Sequence, residues 1–138
     1  MNVQEAQFKG LLTDFKKITV VGISPNPDRA SHQIAVYLKS HGYEVVGVNP
    51  GHEEIAGIKV YKSLSEVPSE YRRFVDVFRS SDSIPALVEE VLKVGGTEVL
   101  WLQLGVTHSE AEKKAEKSGI KVISNQCILI EHRKYIAK

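Results

Sequence analysis

Five short polar segments each follow an apolar run: Gly22-Ile23-Ser24-Pro25-Asn26-Pro27-Asp28-Arg29, Val48-Asn49-Pro50-Gly51, Phe78-Arg79-Ser80-Ser81, Gln103-Leu104-Gly105-Val106 and Ser124-Asn125-Gln126-Cys127. The first is the most informative. Ser24, Asn26 and Arg29 are donors placed just before a helical pattern, and backbone amides at a helix start can hold a phosphate. Pro25 and Pro27 have no N–H to offer. Of the dinucleotide fingerprint G-x-G-x-x-G only Gly22 is present. The segment reads as a phosphate loop of another kind, or equally as a stiff S-P-N-P turn that caps the helix. The second segment ends in Asn49-Pro50 with no carboxylate at the tip, where a nicotinamide-cofactor fold places an acid for the ribose hydroxyls. Glu53 and Glu54 follow a little later. Asn49-Pro50 offers flat apolar contact to a base, or is a plain turn.

Catalytic groupings are sparse. Asp76 alternates with Val75 and Val77 inside an apolar run. A buried acid can be a proton-transfer group with a raised pKa; the commoner arrangement, and the one expected here, is a carboxylate bonded by loop amides. Arg79 suits an anion or a surface acid. His32, His41, His52, His108 and His132 lie far apart and show no metal-ligand spacing, so each is expected at the surface or as a helix cap. Cys127 follows a candidate strand end, although a lone cysteine is more often buried and inert. Glu131-His132-Arg133-Lys134 is expected to be a solvated helix face. No nucleophile elbow with Ser, His and Asp in order is visible. The expectation is therefore no catalytic residues and no metal site.

The elements that must position these segments alternate strand and helix. Ile18 to Gly22 is a β-branched run suited to a strand buried on both faces. Ser31, Ile34, Ala35, Leu38 and His41 recur at helical spacing, and Gly42 can end that helix. Glu44 to Val48 is the second strand, completing a strand–helix–strand unit. Lys59 to Tyr61 is a weaker strand and Ser63 to Val67 a small helix. Phe74 to Phe78 is a further strand. The next helix starts at Asp82 or Ser83 with Pro85 in its first turn, and presents Leu87, Val88, Val91 and Leu92 inward. Val99 to Leu102 is a strand, Thr107 and Glu110 form a T-x-x-E capping box for the next helix, and Lys121 to Ile123 is a last short strand. Phe8, Leu11, Leu12 and Phe15 mark an amphipathic N-terminal helix. Short loops between alternating elements imply a parallel sheet with helices on both faces. The expected fold is a single Rossmann-like, doubly wound, mostly parallel domain over residues 1–138, with residues 1–16 as an N-terminal helical extension. A flavodoxin-like strand order is the competing topology. In either order, ligands bind beyond the carboxyl ends of the strands, where the order reverses, and the five polar segments lie there.

Composition bounds the function. The chain has 138 residues, with 42% hydrophobic and 25% charged, as in a folded domain. This length leaves no room for a separate catalytic domain beside a cofactor domain. Eighteen basic against seventeen acidic residues give a formal charge of +1, without the basic excess of a nucleic-acid binder. One cysteine forms no internal disulfide, and no signal peptide or membrane-length apolar run is visible, so a cytoplasmic protein is expected.

Taken in order, V-V-G-I-S-P-N-P-D-R-A-S (Val20 to Ser31), V-V-G-V-N-P (Val45 to Pro50), V-D-V-F-R (Val75 to Arg79), W-L-Q-L-G-V (Trp101 to Val106) and N-Q-C-I-L-I-E-H-R (Asn125 to Arg133) resemble the small CoA-binding proteins of bacteria and archaea. These are similar to the N-terminal CoA-binding domain of the succinyl-CoA synthetase alpha subunit. The resemblance runs from about Thr13 onward. It implies a Rossmann-type sheet with CoA across the strand C-termini. Gly22, Ser24, Pro25, Asn26 and Arg29 would belong to the loop facing the phosphates. Asn49 and Pro50 would border the adenosine. Phe78, Arg79, Ser80 and Ile84 would line the path of the pantetheine. Gln103, Leu104 and Gly105 would meet its amides, and Asn125 and Cys127 would lie near the thiol. S-P-N-P stands where the synthetase has a glycine-rich loop, and none of the five histidines matches its phosphorylated histidine. Ligase activity is therefore not expected. The leading expectation is a non-catalytic protein holding CoA or acyl-CoA, with no nucleic-acid or membrane partner. A protein partner that borrows the CoA site, or a homo-oligomer, remains open. Two alternatives are a redox-linked binder forming a mixed disulfide between Cys127 and CoA, and an NAD- or nucleotide-binding regulator.

Overall fold

A computed structural model describes residues 3–137. The elements in chain order are α1 (Val3–Asp14), β1 (Lys17–Val21), α2 (Ala30–Ser40), β2 (Glu44–Val48), β3 (Glu54–Ile55), β4 (Ile58–Tyr61), α3 (Ser69–Arg72), β5 (Phe74–Val77), α4 (Ile84–Val94), β6 (Val99–Leu102), α5 (Ser109–Lys117), β7 (Lys121–Ile123) and α6 (Ile128–Tyr135). The sheet order is β3-β4-β2-β1-β5-β6-β7. All pairings are parallel except the β3–β4 hairpin. From β1 the chain steps outward through β2 to β4, then returns to the other side of β1 for β5, β6 and β7. This is the Rossmann order, and it excludes the flavodoxin-like alternative. The reversal lies between β1 and β5.

Both sheet faces are covered, which explains the nearly continuous apolar runs. On one face Ile18, Val20, Phe74, Trp101 and Ile123 pack with Phe8 and Leu12 of α1, Ile34, Ala35 and Leu38 of α2, and Ile128 of α6. On the other, Val21, Val48, Val75, Val77, Leu100 and Leu102 pack with Ile84, Leu87, Val88 and Val91 of α4 and Ala111 and Ala115 of α5. The N-terminal helix is part of this core rather than an appendage. Leu12 is fully buried, Phe8 meets the Trp101 ring at 5.3 Å, and the Tyr43 hydroxyl donates to the Leu12 carbonyl at 2.5 Å. Burial pushes the Tyr43 hydroxyl up to about 12.

Local differences from the sequence expectations have identifiable causes. The β3–β4 hairpin turns on Ala56 and Gly57, both at positive φ (52° and 77°). A two-residue turn of this hand usually carries Asn or Asp before Gly, and Ala56 hides the signal. The cap of α5 lies one residue beyond the predicted T-x-x-E box. His108 Nδ1 accepts the Ala111 amide at 3.2 Å, and Glu112 Oε2 accepts the His108 amide at 2.8 Å. Thr107 instead donates its amide to Ser81 Oγ. The Glu131–Lys134 stretch is not a solvated face throughout. Arg133 and Lys134 are exposed, but Glu131 and His132 are buried because α6 packs against α1 and α2.

Candidate functional site along the carboxyl edge of the sheet

Gly22 is the pivot of the site. It ends β1 at φ +89°, and its amide donates to the Val48 carbonyl at 3.0 Å. Phe78 closes the other side by donating its amide to the Val21 carbonyl at 2.8 Å. A Cβ on Gly22 would stand 2.3 Å from the Phe78 carbonyl oxygen. Three strand ends therefore meet where only a glycine fits, at the point where the strand order reverses.

The loop from Ile23 to Arg29 is stiffened from within. Ser24 Oγ accepts the Asn26 amide at 3.1 Å and Asn26 Oδ1 accepts the Asp28 amide at 2.9 Å. Ser31 Oγ reaches back from α2 to accept the Ser24 amide at 3.0 Å, and Gln33 Nε2 donates to the Pro27 carbonyl. This loop leads into α2 through Arg29, whose side chain makes no capping hydrogen bond. The Arg29 carbonyl takes the His32 and Gln33 amides at 3.1 Å, which leaves the Ala30 and Ser31 amides of the first turn without a backbone partner, the kind of donor that anion-binding helix starts use. Pro25, Asn26, Pro27, Asp28 and Arg29 are all exposed there.

The other predicted residues join the same rim. Asn49 is clamped on three sides: its amide donates to Tyr61 O, its Nδ2 to Ile23 O at 2.9 Å, and its Oδ1 accepts the Gly51 amide. Pro50 beside it is exposed. Arg79 and Ser80 are exposed and Phe78 is half-buried. Ile84 lies deeper, fully buried at the start of α4 in the second core cluster. The Gln103 side chain is buried, and its Oε1 accepts the Ile128 amide at 3.2 Å, tying β6 to the start of α6. Leu104 is 66% exposed, a large apolar side chain presented to solvent at the rim. Asn125 adopts φ +57° and its Oδ1 accepts the Gly105 amide at 2.7 Å. Cys127 is half-buried at the N-cap of α6, and its side chain makes no cap bond.

The β1, β2, β5, β6 and β7 loops thus form one hydrogen-bonded edge. It offers an uncapped helix start and arginines near the reversal point, and apolar Leu104 and a thiol toward β7. Such an edge suits an elongated ligand with anionic groups at one end and a long arm at the other. Among the described residues, no group of three or more His, Cys, Asp or Glu could hold a metal, and no helix is long and apolar enough to cross a membrane.

The sequence profile of the CoA binding domain matches residues 16–133. The chain belongs to the CoA binding domain family. It is 37% identical over 131 residues to the uncharacterised protein YneT of Bacillus subtilis (strain 168), covering 95% of this chain and 96% of YneT. It is 29% identical over 120 residues to the alpha subunit of the ADP-forming acetate–CoA ligase II of Pyrococcus furiosus, covering 80% of this chain but only 26% of that subunit. A solved structure from Thermus thermophilus superposes with a TM-score of 0.89 at 31% identity, covering 99% of this chain and all of the other.

Two features of this family member differ from the sequence expectation: the bonding of Asp76 and the burial of His132. Asp76 is fully buried, and neither carboxylate oxygen has a hydrogen-bond partner. The expected loop amides are absent because Asp76 sits one residue inside β5, in register between Val20 and Trp101, where neighbouring amides serve the sheet. Burial raises its pKa well above the usual carboxylate range. His132 is also buried rather than superficial. Its Nδ1 lies 2.8 Å from the Tyr37 hydroxyl, and burial, then His41 and Lys16, lower its pKa. Asp76 inside an apolar run was a visible signal of burial. His132 had no comparable signal.

Proposed function

We propose that the protein binds coenzyme A, free or acylated, along the carboxyl edge of its sheet without chemistry of its own. The observation that carries this reading is the uncapped start of α2 beside Arg29 at the β1–β5 reversal, in a chain of the CoA binding domain family. In this reading the first-turn amides and Arg29 take the phosphates, and Pro50 lies against the adenine. The arm passes Phe78, Arg79 and Leu104 toward Asn125 and Cys127. The binding role is supported by how the rim uses its polar side chains. Ser24, Asn26, Asn49, Gln103 and Asn125 are engaged with backbone groups, which makes them supports for the loops rather than reacting groups. The ligase activity of the acetate–CoA ligase relative belongs to a subunit of which this chain matches about a quarter, and it is not part of the proposal.

Calorimetric titration with CoA, NAD, NADP and ATP tests the reading. CoA is expected to bind most tightly; preference for NAD would overturn it.

A second reading rests on the place of Cys127, half-buried beside the Gln103–Ile128 bond at the start of α6. Its thiolate would attack one sulfur of CoA disulfide, forming the Cys127–CoA mixed disulfide and releasing one CoA thiolate. Intact mass after incubation with CoA disulfide decides: no gain of one CoA removes the idea.

A further inference from the structure

The contact between α2 and α6 is built from titratable rings. His132 of α6 is only 2% exposed, and its Nδ1 lies 2.8 Å from the Tyr37 hydroxyl. Three rings surround it: Tyr37 edge-on at 5.3 Å, His41 at 5.2 Å and Tyr43 at 5.5 Å between centroids. Two cations stand against these rings. The Lys16 ammonium is 4.6 Å from the Tyr43 centroid, and the Arg133 guanidinium is 5.6 Å from that of Tyr37. α1 meets α6 through Phe8, 6.4 Å from the Tyr135 ring, with Glu5 half-buried one turn earlier. Within α6, Glu131 is buried, and its carboxylate lies 3.9 Å from the Lys134 ammonium.

A hydroxyl donates to a bare Nδ1 or accepts from a protonated one, so the Tyr37 bond alone leaves the charge of His132 open. The surroundings decide it. A proton added to this ring puts a positive charge out of reach of water, beside His41 and near the Lys16 and Arg133 cations. Burial, then His41 and Lys16, hold the ring's pKa down accordingly. The start of the same helix braces the carboxyl edge. The Ile128 amide donates to Gln103 Oε1, and the Gln126 carbonyl accepts Trp101 Nε1. α6 adds no strand to the sheet, so it can part from α2 while the sheet stays paired.

We propose that the Tyr37–His41–His132 cluster is an acid-sensitive latch: neutral His132 holds α6 against α2, and its protonation releases α6 together with the hold on Gln103 at the carboxyl edge. The β6 side of the edge is thus braced at neutral pH and loosened in acid, whichever ligand it takes. A ring that is harder to protonate docked than free shifts the opening equilibrium by up to about tenfold per pH unit, from about pH 6.5 down to its docked value.

Hydrogen exchange of the full chain between about pH 7.5 and about pH 5, corrected for the chemical exchange rate, is the test. The amides of Ile128 and of Glu131 to Tyr135 should be less protected than those of β1, β5 and β6. Their protection should fall by up to about tenfold per unit below about pH 6.5. His132→Gln should remove this pH dependence. Tyr37→Phe keeps both imidazoles, so it should lower α6 protection and retain the dependence. NMR titration of the wild-type His132 ring supplies a readout free of any folding defect in a variant: its protonation should coincide with the loss of α6 protection. His132 that protonates while the α6 amides stay protected overturns the latch, as does α6 opening only together with the core strands. Ile128 staying protected while the rest of the helix opens overturns the link to the edge.

Discussion

Replacing Gly22 with alanine should injure stability and ligand binding together. Two penalties combine at this position. An L-residue held at positive φ costs about 1–2 kcal/mol, and Gly22 stands at φ +89°. The added methyl would also stand 2.3 Å from the Phe78 carbonyl oxygen and 3.1 Å from its carbon. These are backbone atoms of a paired strand end, so relief requires moving β5 or the loop after β1. Overpacking of this kind costs about 1–3 kcal/mol. The sum, roughly 2–5 kcal/mol, is a large share of the ~5–15 kcal/mol that holds an ordinary domain together. Thermal unfolding should shift down by on the order of 10–20 °C. Gly119 provides the control: it has φ +90° but nothing within 4 Å of the new methyl, so Gly119→Ala carries the backbone penalty alone. Urea unfolding followed by the fluorescence of the fully buried Trp101 measures both variants. If Gly22→Ala costs no more than Gly119→Ala, the close meeting of β1 and β5 is not what requires glycine there. CoA titration of the folded fraction should show a further loss of affinity, because the displaced backbone leads directly into the loop proposed above to face the phosphates.

Outcomes are also expected at four other residues. Asp76 has a raised folded pKa, so the fold retains a proton that the unfolded chain releases. Its effect on stability is therefore unfavourable as pH rises from about 4 toward that folded value. Asp76→Asn should flatten this limb and raise the urea midpoint at neutral pH; an unchanged pH profile would refute it. His132 has a lowered folded pKa, so its contribution is present above about pH 6.5 and is lost as pH falls below it. His132→Gln should remove that acid limb. Tyr37→Phe deletes the hydroxyl partner at 2.8 Å and should cost about 1 kcal/mol in chemical unfolding. Asn125→Ala loses the bond to the Gly105 amide and leaves alanine at φ +57°, with an expected cost of about 1–2 kcal/mol. Asn125→Gly, which tolerates that φ, should recover part of the loss, and equal unfolding midpoints for the two would contradict the backbone argument.

Much of the frame was legible because its signals are local. β-branched runs such as Ile18 to Val21, helical spacing such as Ile34, Ala35 and Leu38, and glycines at element ends report conformation within a few residues. Their alternation restricts the chain to a parallel, doubly wound sheet. The strand-end segments were legible as a group for the same reason, since polar turn residues after apolar runs have to lie at the carboxyl edge. The order of motifs across those segments pointed to the CoA-binding family before any contact was known, and the family profile over residues 16–133 bears this out.

Other features depend on neighbours distant in the chain. The T-x-x-E pattern at Thr107 was a sound local signal, but Ser81 took the Thr107 amide and the cap moved to His108. The charged run at Glu131 was read by its own polarity, whereas α1 and α2 decide which of its side chains meet water. Asp76 looked like a residue that loop amides would satisfy, yet its position inside β5 leaves the sheet no amide to spare. The sequence by itself determined most of the elements, their alternation and the residue types at the edge, since these follow from short-range periodicity and turn chemistry. Only the tertiary structure decided that β1 lies between β2 and β5, that Gly22 meets the Phe78 carbonyl, and which polar side chains brace the rim. Those facts arise from strand pairing and helix docking across tens of residues, where burial and hydrogen-bond competition outweigh local preference.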